Sequence, residues 1–243
     1  MSQSFTQQDA DLLRKHLQAL VEVELFTIPL YLTAVYSFTE QALGYQHANQ
    51  YPLYDLQQKA LSVAVQEMYH LQGACNMANA FGVTPNFQQA VLNMPAETPI
   101  RVPHLDPGEH PLVGRLGNLP AVIGVLIAVE KPDAEATTFP PPNAQVSYPA
   151  ISDLYHATLH LLHQYARAYQ DQPTTQDPHF IPNNNQVAYG GFPSRYRYNT
   201  ISTRLDLFHV ANAIAEQGEG TNLGDTNLGP FNLRSAITRG DFG

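Results

Sequence analysis

The chain has 243 residues, 44% of them hydrophobic, and a formal charge of −9 from 12 Lys and Arg against 21 Asp and Glu. The length suits one large domain or two small ones, and the apolar content is too high for a disordered chain. No basic stripe is present to neutralise phosphates, which excludes nucleic acid as a partner and disfavours an anionic membrane surface.

Thr6 or Asp9 can cap a first helix that runs over about 9–40. Its residues Leu13, Leu17, Leu20, Glu24, Ile28, Tyr31 and Val35 recur at helical spacing and trace one face. Glu22, two positions from Glu24, is expected to point to solvent. Pro29 removes a ladder bond and collides with the carbonyl four residues back, so a kink is expected near Leu25. Residues 41–53 form a connection. A second helix covers about 54–82 and stops at Gly82, with Pro85 beyond. Its stripe reads Leu56, Ala60, Val63, Glu67, His70, Ala74, Met77 and Phe81.

Residues 83–118 are rich in Pro and Gly and read as irregular. A short apolar helix follows over 119–130, closed by Lys131 and Pro132. After a loop with three consecutive prolines, a third long helix spans 151–169. A long loop over 171–199 leads to a last helix at 200–217, and the tail over 221–243 is irregular. Strand patterns are nearly absent; only 187–189 is a candidate for brief pairing. The expected architecture is therefore all-α: four long helices, one short one and long connections, in a single domain over 1–243. Connections of that length usually carry function or cover something.

The longest apolar run, 121–129, is far short of the roughly 20 residues that span a bilayer. Residues 1–8 are polar and lack a signal-peptide layout. Cys75, the sole cysteine, excludes an internal disulfide and reads as a small core residue. These features point to a cytoplasmic protein.

Two carboxylates, Glu24 and Glu67, interrupt apolar stripes, and His70 follows Glu67 at the spacing that puts both on one helix face. A carboxylate inside a core is costly unless it is neutral, paired or bound to a metal. The alternatives are a buried Glu–His hydrogen bond or a polar face. Glu130 ends the apolar run and is either a ligand or general base above the bundle or a half-solvated helix exit. On the last helix His209, Asn212, Glu216 and Glu219 share one face. Acids near a helix C-terminus are unfavourable without compensation, which a cation would supply. On the third helix Asp153, His156, His160, His163 and Arg167 trace a continuous polar face whose bland reading is solvent. Asp153 and His156 repeat the spacing of Glu67 and His70, and Tyr155 can point its hydroxyl into the core. No phosphate-binding glycine loop, serine-hydrolase elbow or Cys-x-x-Cys is present.

Five segments carry a family likeness. They are Glu24-Leu25-Phe26-Thr27-Ile28-Pro29-Leu30-Tyr31-Leu32; Glu67-Met68-Tyr69-His70-Leu71 with Asn76 and Asn79-Ala80-Phe81-Gly82; Val129-Glu130-Lys131-Pro132; residues 151–155; and Gln217-Gly218-Glu219-Gly220-Thr221. In order, over roughly 20–221, the chain resembles the ferritin-like family that includes the iminophenyl-pyruvate dimer synthases of violacein- and rebeccamycin-type bisindole biosynthesis. The resemblance implies a ferritin-like four-helix bundle with acids from two helices and Glu-x-x-His from two others. Glu24 with Glu67 and His70 fits half of that scheme. The last helix lacks a clean Glu-x-x-His, so Glu130, Glu219 or the Asp153/His156 pair would have to serve, or a single ion is held.

The leading expectation is a metal-dependent oxidative enzyme. Carboxylates and imidazole suit iron, one or two ions, with manganese or zinc as alternatives. Glu24, Glu67 and His70 would be ligands. Glu130 and Glu219 would complete the set or move protons, with His209, Glu216, Asp153 and His156 as weaker candidates. Tyr155 would act as a proton donor beside the site. The partner is a small organic substrate, with coupling of imino acids as one candidate reaction; a homo-oligomer is left open. The rival readings are a non-catalytic metal-binding helical protein or small-molecule carrier, and a hydrolase using the same ion.

Overall fold

A computed structural model describes residues 5–37, 51–88, 102–105, 124, 141–182, 184–187 and 200–218, with side chains from 57 in the second helix and to 215 in the last. Four long helices carry it: α1 (Gln7–Ser37), α2 (Tyr51–Ala80), α3 (Ile151–Ala168) and α4 (Arg204–Gly218). A 3-10 turn, Thr174–Gln176, lies between α3 and α4. Among the described residues the sole β feature is a bridge between Leu105 and Tyr148. The all-α expectation holds. Gly124, the described residue of the expected 119–130 helix, is helical, and the rest of that helix lies outside the described residues.

The helix ends follow from local chemistry. Thr6 caps α1: its hydroxyl accepts from the Asp9 amide at 3.2 Å, and its own amide and hydroxyl donate to Asp9 Oδ2 at 2.8 and 2.6 Å. This reciprocal box starts the helix two residues before the expected position. Thr203 and Asp206 build the same box at α4, with distances of 3.2 and 2.7 Å. That is why α4 begins at Arg204 and not at Thr200. Gly82, at φ +74°, ends α2. The Val83 amide reaches the Ala78 carbonyl at 2.8 Å and the Gly82 amide reaches Asn79 at 3.1 Å, the paired bonds of a Schellman stop.

α1 packs on α2 and α3, and α4 packs on α3 and α2, which closes a ring. Contacts give the directions. Arg14 sits over the Phe81 ring at 5.5 Å and Gln18 reaches the Asn86 carbonyl at 3.1 Å, while Thr27 meets Glu67 farther on. α1 and α2 are thus antiparallel. Phe5 packs on Tyr165 and Tyr155 meets Glu24, so α1 and α3 are antiparallel too. α2 and α3 therefore run the same way, and the chain between them must travel the length of the bundle. That requirement explains a connection of this length between two helices of a compact bundle.

The core is aliphatic and tyrosine-rich: Leu13, Leu17, Leu20, Leu30, Tyr31, Met77, Phe81, Leu154, Tyr155, Leu161 and Tyr165 are all fully buried. By length and composition α1 could cross a membrane, but its apolar window is mostly buried in the bundle. From Ala19 to Glu24 it is buried on every side. Glu22 consequently does not face solvent as its spacing suggested. The 102–105 segment covers it, and Glu22 Oε2 takes a hydrogen bond from His104 Nε2 at 3.0 Å. Gln18 adds a second at 2.8 Å. Burial alone would raise the Glu22 carboxyl, but these two bonds outweigh it and hold the group below its ordinary range. α1 continues through Pro29, which leaves the Leu25 carbonyl without its usual ladder donor. Beyond it, Thr33 and Ser37 bond back to the carbonyls of Pro29 and Thr33, both at 2.7 Å.

Segment 184–187 is strapped along α2. Asn76 pairs with both backbone groups of Val187, at 2.9 and 3.1 Å; the rest of the candidate pairing segment, 188–189, lies outside the described residues.

Candidate metal centre

Glu24 lies midway along α1, and Glu67 and His70 lie one helical turn apart on α2. All three are buried, at 2%, 4% and 3% exposure. One ligand atom from each lies within 4.8 Å of the other two. His70 Nδ1 stands 3.7 Å from Glu24 Oε2 and 3.6 Å from Glu67 Oε2. These separations are too long for N–H···O hydrogen bonds, which end near ~3.2 Å. They rule out the buried Glu–His hydrogen bond as the reason for the spacing. Ligands about 2.1 Å from a shared ion, subtending roughly right to tetrahedral angles, stand about 3.0–3.4 Å apart. The two separations from His70 Nδ1 are within a few tenths of an ångström of that range and all three ligand atoms lie within 4.8 Å of one another, so these residues fit a divalent ion.

Two hydroxyls hold the acids from outside. Tyr155 on α3 donates to Glu24 Oε1 at 2.5 Å. Its Oε2 is left turned towards His70. Thr27, one turn beyond Glu24, donates towards Glu67 Oε2 at 2.9 Å and towards the Glu24 carbonyl at 2.9 Å. Burial pushes Glu24 up to about 8 from an ordinary 4.5; the Glu67 carboxylate adds to the rise, while His70 and the Tyr155 bond pull the other way. A cation would reverse that balance, because its charge favours both ionised carboxylates.

The structure brings Glu24, Glu67, His70 and Tyr155 together as the spacing indicated. It does not bring in the weaker candidates of the described region. His209 is exposed on α4, away from the cluster. His156 is half-buried, with Nδ1 2.8 Å from the Ser152 carbonyl of its own helix. Asp153 is buried and so leaves the solvent face on which periodicity placed it, but it does not join the cluster. A helix packed on two neighbours buries more than one stripe. His160 and His163 are exposed, as expected. Glu130 and Glu219, with the Glu216 side chain, lie outside the described residues. Thr27 joins this group from outside the apolar stripe, and its only signal in the sequence is its position three residues after Glu24 on the same face. Cys75 is inert: burial pushes its thiol up to about 12.

An antiparallel four-helix bundle with one long crossover and a buried carboxylate–histidine cluster defines a class of helical proteins that use their core as a metal cage. A family model for ferritin-like proteins matches residues 17–229, and the chain belongs to the ferritin-like family. No curated protein matches it by sequence. Among solved structures it is similar to a ferritin-like protein from Caulobacter vibrioides, with a TM-score of 0.68 and 21% identity, covering 97% of this chain and 73% of that one. At that identity the likeness concerns the fold.

Proposed function

We propose that this chain is a metal-dependent oxidative enzyme, with iron as its ion, that acts on a small organic substrate. The observation that carries the reading is the convergence of Glu24, Glu67 and His70 inside the bundle, with His70 Nδ1 3.7 and 3.6 Å from the two Oε2 atoms and one ligand atom of each residue within 4.8 Å of the others. Two hard carboxylate oxygens and one imidazole suit iron or manganese better than a soft metal, with zinc also accommodated. A bound iron would supply redox chemistry with oxygen or peroxide. The chain's own residues would do the rest. Glu24, Glu67 and His70 hold the ion, the buried aliphatic and tyrosine side chains exclude water, and Tyr155 moves a proton to or from Glu24 Oε1. Glu130 and Glu219 are proposed to complete the ligand set or carry protons. The likeness of the Glu24–Leu32 and Glu67–Leu71 segments to the iminophenyl-pyruvate dimer synthases supports an imino-acid coupling in secondary metabolism, in the cytoplasm, as the specific reaction.

The test is anaerobic reconstitution of the purified protein with Fe(II), followed by elemental analysis and exposure to oxygen. Bound iron with an oxygen-dependent spectral change is expected. Bound iron without that change would make the chain a non-catalytic metal-binding protein or carrier. Zinc preference with no oxygen consumption would make it a hydrolase. No bound metal would remove the reading.

A further inference from the structure

We infer that Thr27 is a positioning residue of the metal centre, whose hydroxyl sets the orientation of Glu67; this rests on the metal-binding reading above. Thr27 is 1% exposed, so its hydroxyl must find partners inside the protein. It has one hydrogen and two acceptors at equal distance, the Glu24 carbonyl and Glu67 Oε2, each 2.9 Å away. One acceptor belongs to the backbone of the α1 ligand and the other to the side chain of the α2 ligand. Thr27 is therefore a side chain that ties the two ligand-bearing helices at the level of the site.

The need for such a tie is local. Pro29 has no amide hydrogen, so the ladder loses its rung at the Leu25 carbonyl, one residue after Glu24. The Thr27 hydroxyl bonds the neighbouring Glu24 carbonyl from the side, next to that missing rung. The other partner matters more for the ion. A carboxylate oxygen has two acceptor sites. Thr27 uses one on Glu67 Oε2, and the same oxygen faces His70 Nδ1 at 3.6 Å with the other. Tyr155 plays the matching part for Glu24, but it takes the opposite oxygen, Oε1. With Thr27 in place, rotation of the Glu67 carboxylate away from His70 breaks a buried hydrogen bond. An ionised carboxylate is a stronger acceptor than a peptide carbonyl, so an ion that keeps Glu67 charged draws the hydroxyl hydrogen to it.

Two substitutions separate positioning from packing. Thr27→Val keeps the β-branched shape and removes the hydroxyl. Thr27→Ser keeps the hydroxyl and removes a methyl group. Full-length wild type and both variants are titrated anaerobically with Fe(II), Mn(II) and Zn(II), and the metal-free melting temperature is recorded for each. Thr27→Val is expected to bind about 10- to 100-fold more weakly, the range seen when an outer partner of a metal ligand is lost. Thr27→Ser is expected to bind within about threefold of wild type, by the same reasoning. A merely structural role would lower the melting temperature in step with lost packing and leave affinity unchanged. Wild-type affinity in Thr27→Val overturns the inference while the metal site stands. Equal loss in Thr27→Ser also overturns it, and keeps the inference falsifiable if the valine variant fails to fold. A wild-type protein that binds none of the three ions overturns the metal reading itself, and Thr27 falls with it.

Discussion

Two buried polar clusters lie along the same bundle, and they are built on opposite principles. At the end where α3 runs into the 169–182 segment, Asp177 meets a donor on each oxygen. The His179 amide donates to Oδ1 at 2.9 Å; Tyr165 donates its hydroxyl to Oδ2, and Arg204 Nε approaches Oδ2 at 3.5 Å. Arg204 gives its other nitrogens to the carbonyls of Tyr169 and Gln172, and Arg14 donates to His179 Nδ1 at 3.2 Å. Rings of Phe5, Phe81, Tyr165, Tyr169 and His179 pack around this network. Charge and hydrogen bonds balance without outside help. At mid-bundle the hydroxyls of Thr27 and Tyr155 each hold one of two acids, the two carboxyls lie against each other, and the imidazole nitrogen of His70 stands beyond hydrogen-bond range of both. The first cluster is a fastener. The second has the form of a cage for a cation, and burial alone would not have told them apart.

The sharpest way to break this contrast is to remove an acid from each cluster. Glu67→Ala should lower metal affinity by more than about 100-fold while the helical circular dichroism persists, as expected for a lost ligand. Unchanged metal stoichiometry would take Glu67 out of the site. Asp177→Ala should do the reverse. It leaves Arg204 without its buried carboxylate and should destabilise the fold by about 3–5 kcal/mol, with metal affinity untouched. Denaturant titration of both variants, with and without metal, reads the two effects separately.

The next effect lies in pH. Glu24 is raised in the folded state from 4.5 to about 8, so between those values the metal-free fold holds a proton that the unfolded chain releases. The stability linked to it is fully present below about pH 4.5 and is lost as pH rises through about 8. The melting temperature of metal-free protein should therefore carry a falling contribution across that window. Saturating Mn(II) or Glu24→Gln should remove it, and a slope that survives in Glu24→Gln would assign it to another group. Glu22 gives the opposite sign at lower pH. Its carboxyl is held below the ordinary range, so its contribution is present above that range and disappears as pH falls through the lowered value. Glu22→Gln should flatten acid unfolding there. The smallest effect is expected from His160→Ala: metal content and stability should match wild type, because the side chain is exposed on α3. Lost metal in that variant would contradict its placement.

Much of this was legible in the chain. Helical spacing placed Glu24 inside one stripe, Glu67 and His70 inside another, and Gly82 at the end of α2, because each depends on periodicity or on one residue's backbone preference. The departures have a shared cause. The angle of Glu22 and Asp153 on a single helix assigns both to water, yet both are buried, Glu22 beneath the 102–105 segment. Periodicity reports which side of a helix faces its helical neighbours; it says nothing of a crossover segment laid over the other side. Thr6 caps α1 as one of the two candidates the sequence offers, whereas the threonine–aspartate box at Thr203 starts α4 a few residues after the apolar pattern does. Thr27 was hidden for another reason. A threonine in a helix is unremarkable until the facing helix shows what its hydroxyl meets.

Anomalous diffraction from crystals grown with Mn(II) reaches the central claim directly. A single strong peak about 2.1–2.3 Å from Glu24 Oε2, Glu67 Oε2 and His70 Nδ1 is the predicted result. A map with full occupancy at another site, or with the three side chains rotated apart and no peak between them, would contradict it.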